Sequence, residues 1–241
     1  MERNGNLKGH KFAINSHIIL ITCTFYLKSY MKPFLFTITM LYISLFLGYS
    51  QQKPINKKMN TALILIDIQN DYFENGTMPL AGSSEASLKA RQVLDRFRSE
   101  GLPVIYIQHI ASSPNSTFFL PQTKGADIHE NIKPKENEKV IIKHFPNSFR
   151  ETGLMEYLRS NHIKDLVVCG MMTHMCVDAT VRAATDFGFN CTLISDACAT
   201  RDLEINGEVV KAAEVQKSFL AALSGFYASV ITTPQYLLVK D

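Results

Sequence analysis

The sequence predicts an α/β protein: a doubly wound, six-stranded, mainly parallel sheet with helices on both faces. Two observations predict it. Six short apolar runs, rich in β-branched residues and nearly continuous, read as strands buried on both faces. Amphipathic stretches at helical spacing lie between several of them, and such alternation of strand and helix favours a parallel sheet.

In chain order the six runs are TALILIDI (61–68), VIYIQHI (104–110), KVIIKHF (139–145), DLVVCG (165–170), CTLISDA (191–197) and ASVITT (228–233). After the first run, residues 83–100 place Ala86, Ala90, Val93, Leu94 and Phe97 on one stripe, and Gly101 ends it. Residues 150–161 group Leu154, Tyr157 and Leu158. Residues 173–187 group Val177, Val181 and Ala184, with Gly188 as the stop. Residues 208–224 group Ala212, Val215, Phe219 and Leu223, with Gly225 following. From Ala111 to Glu138 there is no clean period; this reads as a long connection, and such loops often shape a binding site.

The 241 residues suffice for one large domain with an appendage. The appendage is expected at residues 1–50. MKPFLFTITMLYISLFLGYS, starting at Met31, has one positive charge (Lys32), an apolar run from Phe34 to Leu47 and small residues near Ser50. That is the layout of a cleaved signal peptide (31–50), with export to a periplasmic or extracellular space as the expectation and a cytoplasmic location as the alternative if the leader is not functional. The apolar run is short for a membrane span of roughly 20 residues, so stable membrane insertion of the mature domain is not expected. Residues 51–60 read as a polar linker and 61–241 as the domain proper. The formal charge of +3 belongs to the leader: setting aside its five basic residues and one acidic residue leaves 20 basic and 21 acidic. The domain therefore lacks the basic footprint of a nucleic-acid binder. Outside the leader the cysteines are Cys169, Cys176, Cys191 and Cys198, an even number compatible with either disulfides or buried thiols.

In open parallel sheets, ligands bind beyond the carboxyl ends of the strands. The first run delivers Asp67 there and the third delivers Lys143. The fourth ends at Gly170 and turns into a helix with Cys176 in its first turn. Singly, each has a bland reading: a turn-capping acid, a strand-end lysine reaching water, a core thiol. Lys143, however, follows Val140-Ile141-Ile142, and a lysine ending a buried strand needs a partner or a cavity. Thr173 is expected as the N-cap, which sets Cys176 where backbone N–H groups and the helix dipole favour a thiolate. Three such groups at three strand ends of one sheet read as a site.

ALILIDIQNDYF, VIIKHFPNSF and VVCGMMTHMCVDATVRAATDFGF resemble, in order and spacing, the signature segments of the isochorismatase-like cysteine hydrolases, a superfamily that includes nicotinamidases and carbamoylsarcosine amidohydrolases. The resemblance covers about residues 60–238 and implies an isochorismatase-like fold. It implies Cys176 as nucleophile, Asp67 as general base and Lys143 as the third member of a triad. It further implies a cis peptide at Met171–Met172, an oxyanion hole made by the Met172 and Cys176 N–H groups, a small-molecule substrate and a homo-oligomer. Candidates for the substrate pocket are Gln69, Phe73, His109, Phe149 and His174.

Nicotinamidases of this superfamily carry a metal site after the second strand, built on Asp-x-His and a later His. Here that region reads YIQHIASSPNSTFFLPQ, with His109 alone; the Asp-x-His of the chain, Asp127-Ile128-His129, lies well downstream. The expectation is therefore no metal and no cofactor, with His109 and His174 as pocket lining. Retention of Cys176 favours cleavage of a C–N amide-type bond through a thioester. The alternatives are vinyl ether hydrolysis of the isochorismatase kind, or a non-catalytic small-molecule binder on the same fold. A redox pairing of Cys176 with Cys198 or Cys169 is disfavoured, since no Cys-x-x-Cys is present.

Overall fold

The computed structural model describes residues 60–238. The expected signal peptide, the rest of the leader and the linker up to residue 59 lie outside the described residues.

All six runs form strands of one parallel sheet: β1 (Thr61–Ile66), β2 (Val104–His109), β3 (Lys139–Lys143), β4 (Asp165–Met171), β5 (Asn190–Ala199) and, after the hairpin strands β6 (Leu203–Ile205) and β7 (Glu208–Val210), β8 (Ser229–Ile231). Their order across the sheet is β3-β2-β1-β4-β5-β8, and each neighbouring pair is parallel. The chain builds outward from β1 to β3, then crosses back to lay β4 on the other side of β1. The β1–β4 seam is thus the topological switch point, where open α/β sheets form their ligand crevice.

The helices are α1 (Ser83–Ser99), α2 (Leu154–Ser160), α3 (Asp178–Asp186), α4 (Ala212–Leu223) and α5 (Thr233–Leu238). Side chains alternate across each strand, so β1 feeds both faces. Leu63 and Leu65 pack with Ala90, Val93, Leu94 and Phe97 of α1, with Tyr236 of α5 against the same core. Ala62, Ile64 and Ile66 face Leu154 and Leu158 of α2, Val181 and Ala184 of α3, and Leu223 of α4. Both faces are covered, which is why β1, β2 and β4 read as unbroken apolar runs.

Four elements depart from the sequence reading. The edge strand β3 is not buried on both faces: Val140 and Ile142 are 37% and 54% exposed. The helix expected over 173–187 begins instead as a π-helical turn (Thr173–Val177) and becomes α-helical at Asp178. The stretch 208–224 divides: α4 starts at Ala212, and residues 208–210 form β7, paired antiparallel with β6. The connection from 111 to 138 is better ordered than its composition suggests. It carries short 3-10 turns at Lys124–Ala126 and Glu130–Ile132, and it buries Phe119, Ala126 and Ile132 in the α1-side core. Among the described residues no helix is long and apolar enough to cross a membrane.

Candidate active site

Three strand ends meet at the switch point. Asp67 follows β1 directly; its N–H donates to the Ile107 carbonyl (3.0 Å), continuing the pairing with β2 for one residue. Its φ of +49° lies in the left-handed region, a conformation that costs a non-glycine residue roughly 1–3 kcal/mol and persists where surroundings enforce it. That turn swings the carboxylate inward, where it is wholly buried. Lys143 ends β3, is equally buried, and sets Nζ 2.7 Å from Asp67 Oδ2. Nζ also donates to the Pro146 carbonyl at 3.0 Å. Neither Asp67 oxygen has a well-aligned hydrogen-bond donor among the described residues.

Cys176 comes from the turn after β4. Gly170, at φ +146°, faces Ile66 across the β1–β4 seam, and a Cβ there would overlap the Ile66 carbonyl oxygen. The Met171–Met172 peptide is cis. The Met172 carbonyl then accepts from the N–H groups of Met175 (3.1 Å) and Val177 (3.2 Å), closing the wide turn that presents Cys176. π-type turns of this kind recur at functional sites. The expected N-cap at Thr173 is not formed. Met172 occupies the cap position, and the Thr173 hydroxyl donates to Gln216 Oε1 (2.6 Å) while lying 3.1 Å from the Ala199 carbonyl. Gln216 Nε2 in turn donates to the Ser195 and Cys198 carbonyls, so α4 ties the turn to the irregular end of β5.

The electrostatics of the thiol run against the helix-start expectation. Cys176 is 2% exposed. Burial, then the neighbouring Asp67 charge, push its pKa well above the ordinary thiol value, and Lys143 offsets this only in part. Burial and the Asp67 charge thus favour the thiol over the thiolate. For Lys143 burial disfavours the ammonium, but the Asp67 charge and Cys176 outweigh it, and its pKa stands above the usual lysine value. The site holds a carboxylate, an ammonium and a thiol in mutual contact and shielded from water.

The five pocket candidates separate. His109, at the end of β2, joins the cluster: one ring nitrogen, an Asp67 oxygen and Cys176 Sγ all lie within 4.8 Å of one another. Burial lowers its pKa, and Asp67 and Lys143 pull in opposite directions, so the imidazole is neutral at pH 7. Gln69 is not pocket lining. Its side chain is consumed in clamping the His109 backbone, donating to the carbonyl (2.8 Å) and accepting from the N–H (2.7 Å), with a further bond to the Ala126 carbonyl (2.7 Å). Phe149 packs instead in the α2-side core against Phe187 and Phe189. Phe73 stacks on the His129 ring, with centroids 3.6 Å apart, beside a cavity of about 440 Å³ that does not include the Asp67–Cys176 cluster among its lining residues. His174 is half-buried, its Nδ1 2.6 Å from the Thr200 hydroxyl and its ring edge-on to Phe219.

Sequence reasoning missed the groups that hold the loop after β3. Ser148 N–H donates to the Thr180 hydroxyl (3.1 Å), and the two hydroxyls lie 2.8 Å apart, fastening the Lys143 loop to α3. Small hydroxyl residues give no periodic signal; only the position of Ser148 just past a strand end hinted at it. The four cysteines among the described residues are free and buried, with none paired to Cys176. His129 of the Asp127-Ile128-His129 segment stacks on Phe73 and accepts from Asn131 N–H.

The Isochorismatase domain family model matches residues 61–235. The isochorismatase family protein YddQ of Bacillus subtilis is 50% identical over 179 residues, which is 74% of this chain and 99% of that protein. The crystal structure of an isochorismatase from Pseudomonas putida superposes with a TM-score of 0.70 at 36% identity, covering 79% of this chain and 96% of the other. A streptothricin hydrolase of Streptomyces noursei is 32% identical over 142 residues, 59% of this chain and 50% of that protein.

Proposed function

We propose, from the premise that the chain belongs to the isochorismatase family of hydrolases, that it cleaves a C–N amide-type bond of a small molecule through a thioester on Cys176. The observation that carries this reading is the geometry: the buried Asp67 beside the buried Cys176 Sγ, with Lys143 Nζ 2.7 Å from Oδ2. A thiol whose pKa burial raises needs a base at the moment of attack, and Asp67 is the proposed base.

The steps follow from the charges. As Cys176 Sγ attacks the carbonyl carbon, its proton passes to Asp67, and the new C–S bond leaves a tetrahedral oxyanion. The N–H groups of Met172 and Cys176 are the proposed donors to that oxygen. Asp67 then gives the proton to the leaving nitrogen as the C–N bond breaks. Water attacks the thioester, loses a proton to Asp67, and the C–S bond breaks to release the acid and restore the thiol. Lys143 remains charged throughout and keeps the carboxylate from drifting or being silenced by a stray proton. A non-catalytic binder has no use for this set of three.

The test is a hydrolysis screen over small amides, cyclic amides and ureido compounds, with a vinyl ether as an added arm and Cys176→Ala as control. Expected are turnover of at least one C–N substrate, loss of turnover of about 10³-fold or more in the variant, and an acyl adduct on Cys176 by mass spectrometry after rapid quenching. Turnover of the vinyl ether alone, undiminished in Cys176→Ala, would overturn the reading in favour of the alternative chemistry.

A further inference from the structure

We propose that Asp67, His109 and Cys176 also form a reversible inhibitory site for a thiophilic divalent cation, with Zn²⁺ the best match. The sequence reading expected no metal and gave His109 a lining role; the geometry assigns it a ligand position. The three donors come from three separate strand ends, β1, β2 and the turn after β4, and their ligand atoms lie within 4.8 Å of one another. In a tetrahedral zinc site with bonds of 2.0–2.3 Å, ligand atoms stand roughly 3.3–3.8 Å apart, so small side-chain rotations bring this set to bonding distance.

Two independent features make the cluster a receptor rather than a chance grouping. The Asp67 carboxylate is fully buried, and neither of its oxygens accepts a well-aligned hydrogen bond among the described residues, although Lys143 Nζ stands 2.7 Å from Oδ2. Lys143 contacts Oδ2, and a carboxylate has a second oxygen to offer a cation. The Gln69 clamp holds the His109 backbone at both its N–H and its carbonyl, which fixes the strand end that carries the imidazole. One sulfur, one nitrogen and one oxygen suit zinc, whereas magnesium and calcium demand mostly oxygen ligands. The nearby ammonium weakens the site, which favours reversible binding over a resident ion.

The step balances without any redox change. Cys176 loses its proton to solvent, a thiolate–metal bond forms, and Asp67 and His109 donate lone pairs; the fourth position is left to water. Nucleophile and base are captured together, so the bound state cannot acylate.

Tag-free protein titrated with Co²⁺ tests this without any turnover. Expected are one Co²⁺ per chain, a thiolate-to-cobalt charge-transfer band, release of one proton per cation, and displacement by Zn²⁺ or reversal by EDTA. Blocking Cys176 with iodoacetamide in the otherwise intact protein should abolish the band, as should Cys176→Ser. His109→Gln should weaken binding by more than the roughly 10–100-fold that outer-shell changes cost. Binding with no thiolate band, or an affinity unmoved by His109→Gln in a folded variant, overturns the proposal. Should the band appear while no amide is ever cleaved, the metal site stands and the amidase reading fails.

Discussion

Asp67 is wholly buried, adopts a left-handed backbone and contacts one cation. These conditions are sustained because the carboxylate and Lys143 were desolvated together; either one alone would be an uncompensated buried charge, costing about 3–5 kcal/mol. The same low-dielectric setting governs Cys176. Its raised pKa means that, with EDTA present, alkylation of Cys176 by iodoacetamide should climb about tenfold per pH unit from 7 to 9 without levelling, because the thiolate fraction is still far from saturation. Peptide mass mapping against time gives the rate. A plateau near pH 7 would mean that the thiolate is preformed and that Asp67 is not needed as base. The three clustered side chains were legible in the sequence because Asp67 and Lys143 follow or end apolar strands and Cys176 stands in the turn after a third, where an acid, a lysine or a helix-start cysteine is conspicuous. The protonation state was not. Position at a helix start suggested a thiolate, and only the depth of burial, a property of the folded chain, reverses the sign. Gln69 was misread for a related reason: sequence shows a polar residue at the site but not that its amide is already committed to His109.

At the scale of the element, the turn after β4 is tightly constrained. Gly170 pairs with Ile66 at the switch-point seam, and both its φ and its lack of a Cβ are required there. Gly170→Ala should cost about 2–5 kcal/mol, from the positive φ and the overlap together. Gly101→Ala, at φ +65° with open space around it, should cost only about 1–2 kcal/mol. Urea unfolding midpoints of the two variants make the comparison, and equal losses would show that the seam tolerates the extra carbon. Most strands were legible because burial on two faces leaves a continuous apolar run. The β6–β7 hairpin was missed although its signal is present. Leu203-Glu204-Ile205-Asn206-Gly207-Glu208-Val209-Val210 places Asn-Gly between alternating residues, and both turn residues take positive φ (53° and 81°), as a tight hairpin turn requires. The helical stripe that begins at Ala212 masked it. Ile205 and Val209 are 64% and 53% exposed, so the hairpin gains little from the core and stands on its turn chemistry.

For the molecule as a whole, the alternating sheet and its two cores follow from apolar periodicity, but the polar ties between layers do not. One such tie joins three elements on the α1 side. Arg98 of α1 makes a two-pronged bond to Glu138, through Nε to Oε1 and Nη2 to Oε2, each 2.7 Å. Tyr106 of β2 donates to Glu138 Oε2 at 2.9 Å, and Lys135 N–H donates to the same oxygen at 2.7 Å. Burial pushes the Glu138 carboxyl up, but the Arg98 fork, the Lys135 N–H and the Tyr106 hydroxyl outweigh it and hold the pKa at about 2, against an ordinary 4.5. A carboxyl depressed on folding stabilises fully above its unfolded value, and that contribution is lost as pH falls toward the folded value. The window here runs from about 4.5 down to about 2. Glu138→Gln should therefore lower stability at pH 7 by about 1.5–3 kcal/mol, the worth of a charged hydrogen bond, and the gap to the parent protein should narrow steadily below pH 4.5. Thermal unfolding of both proteins from pH 7 to pH 2.5 reads this directly. A gap that stays constant across the range would mean that the tie acts by packing alone, and that acid unfolding begins elsewhere in the fold.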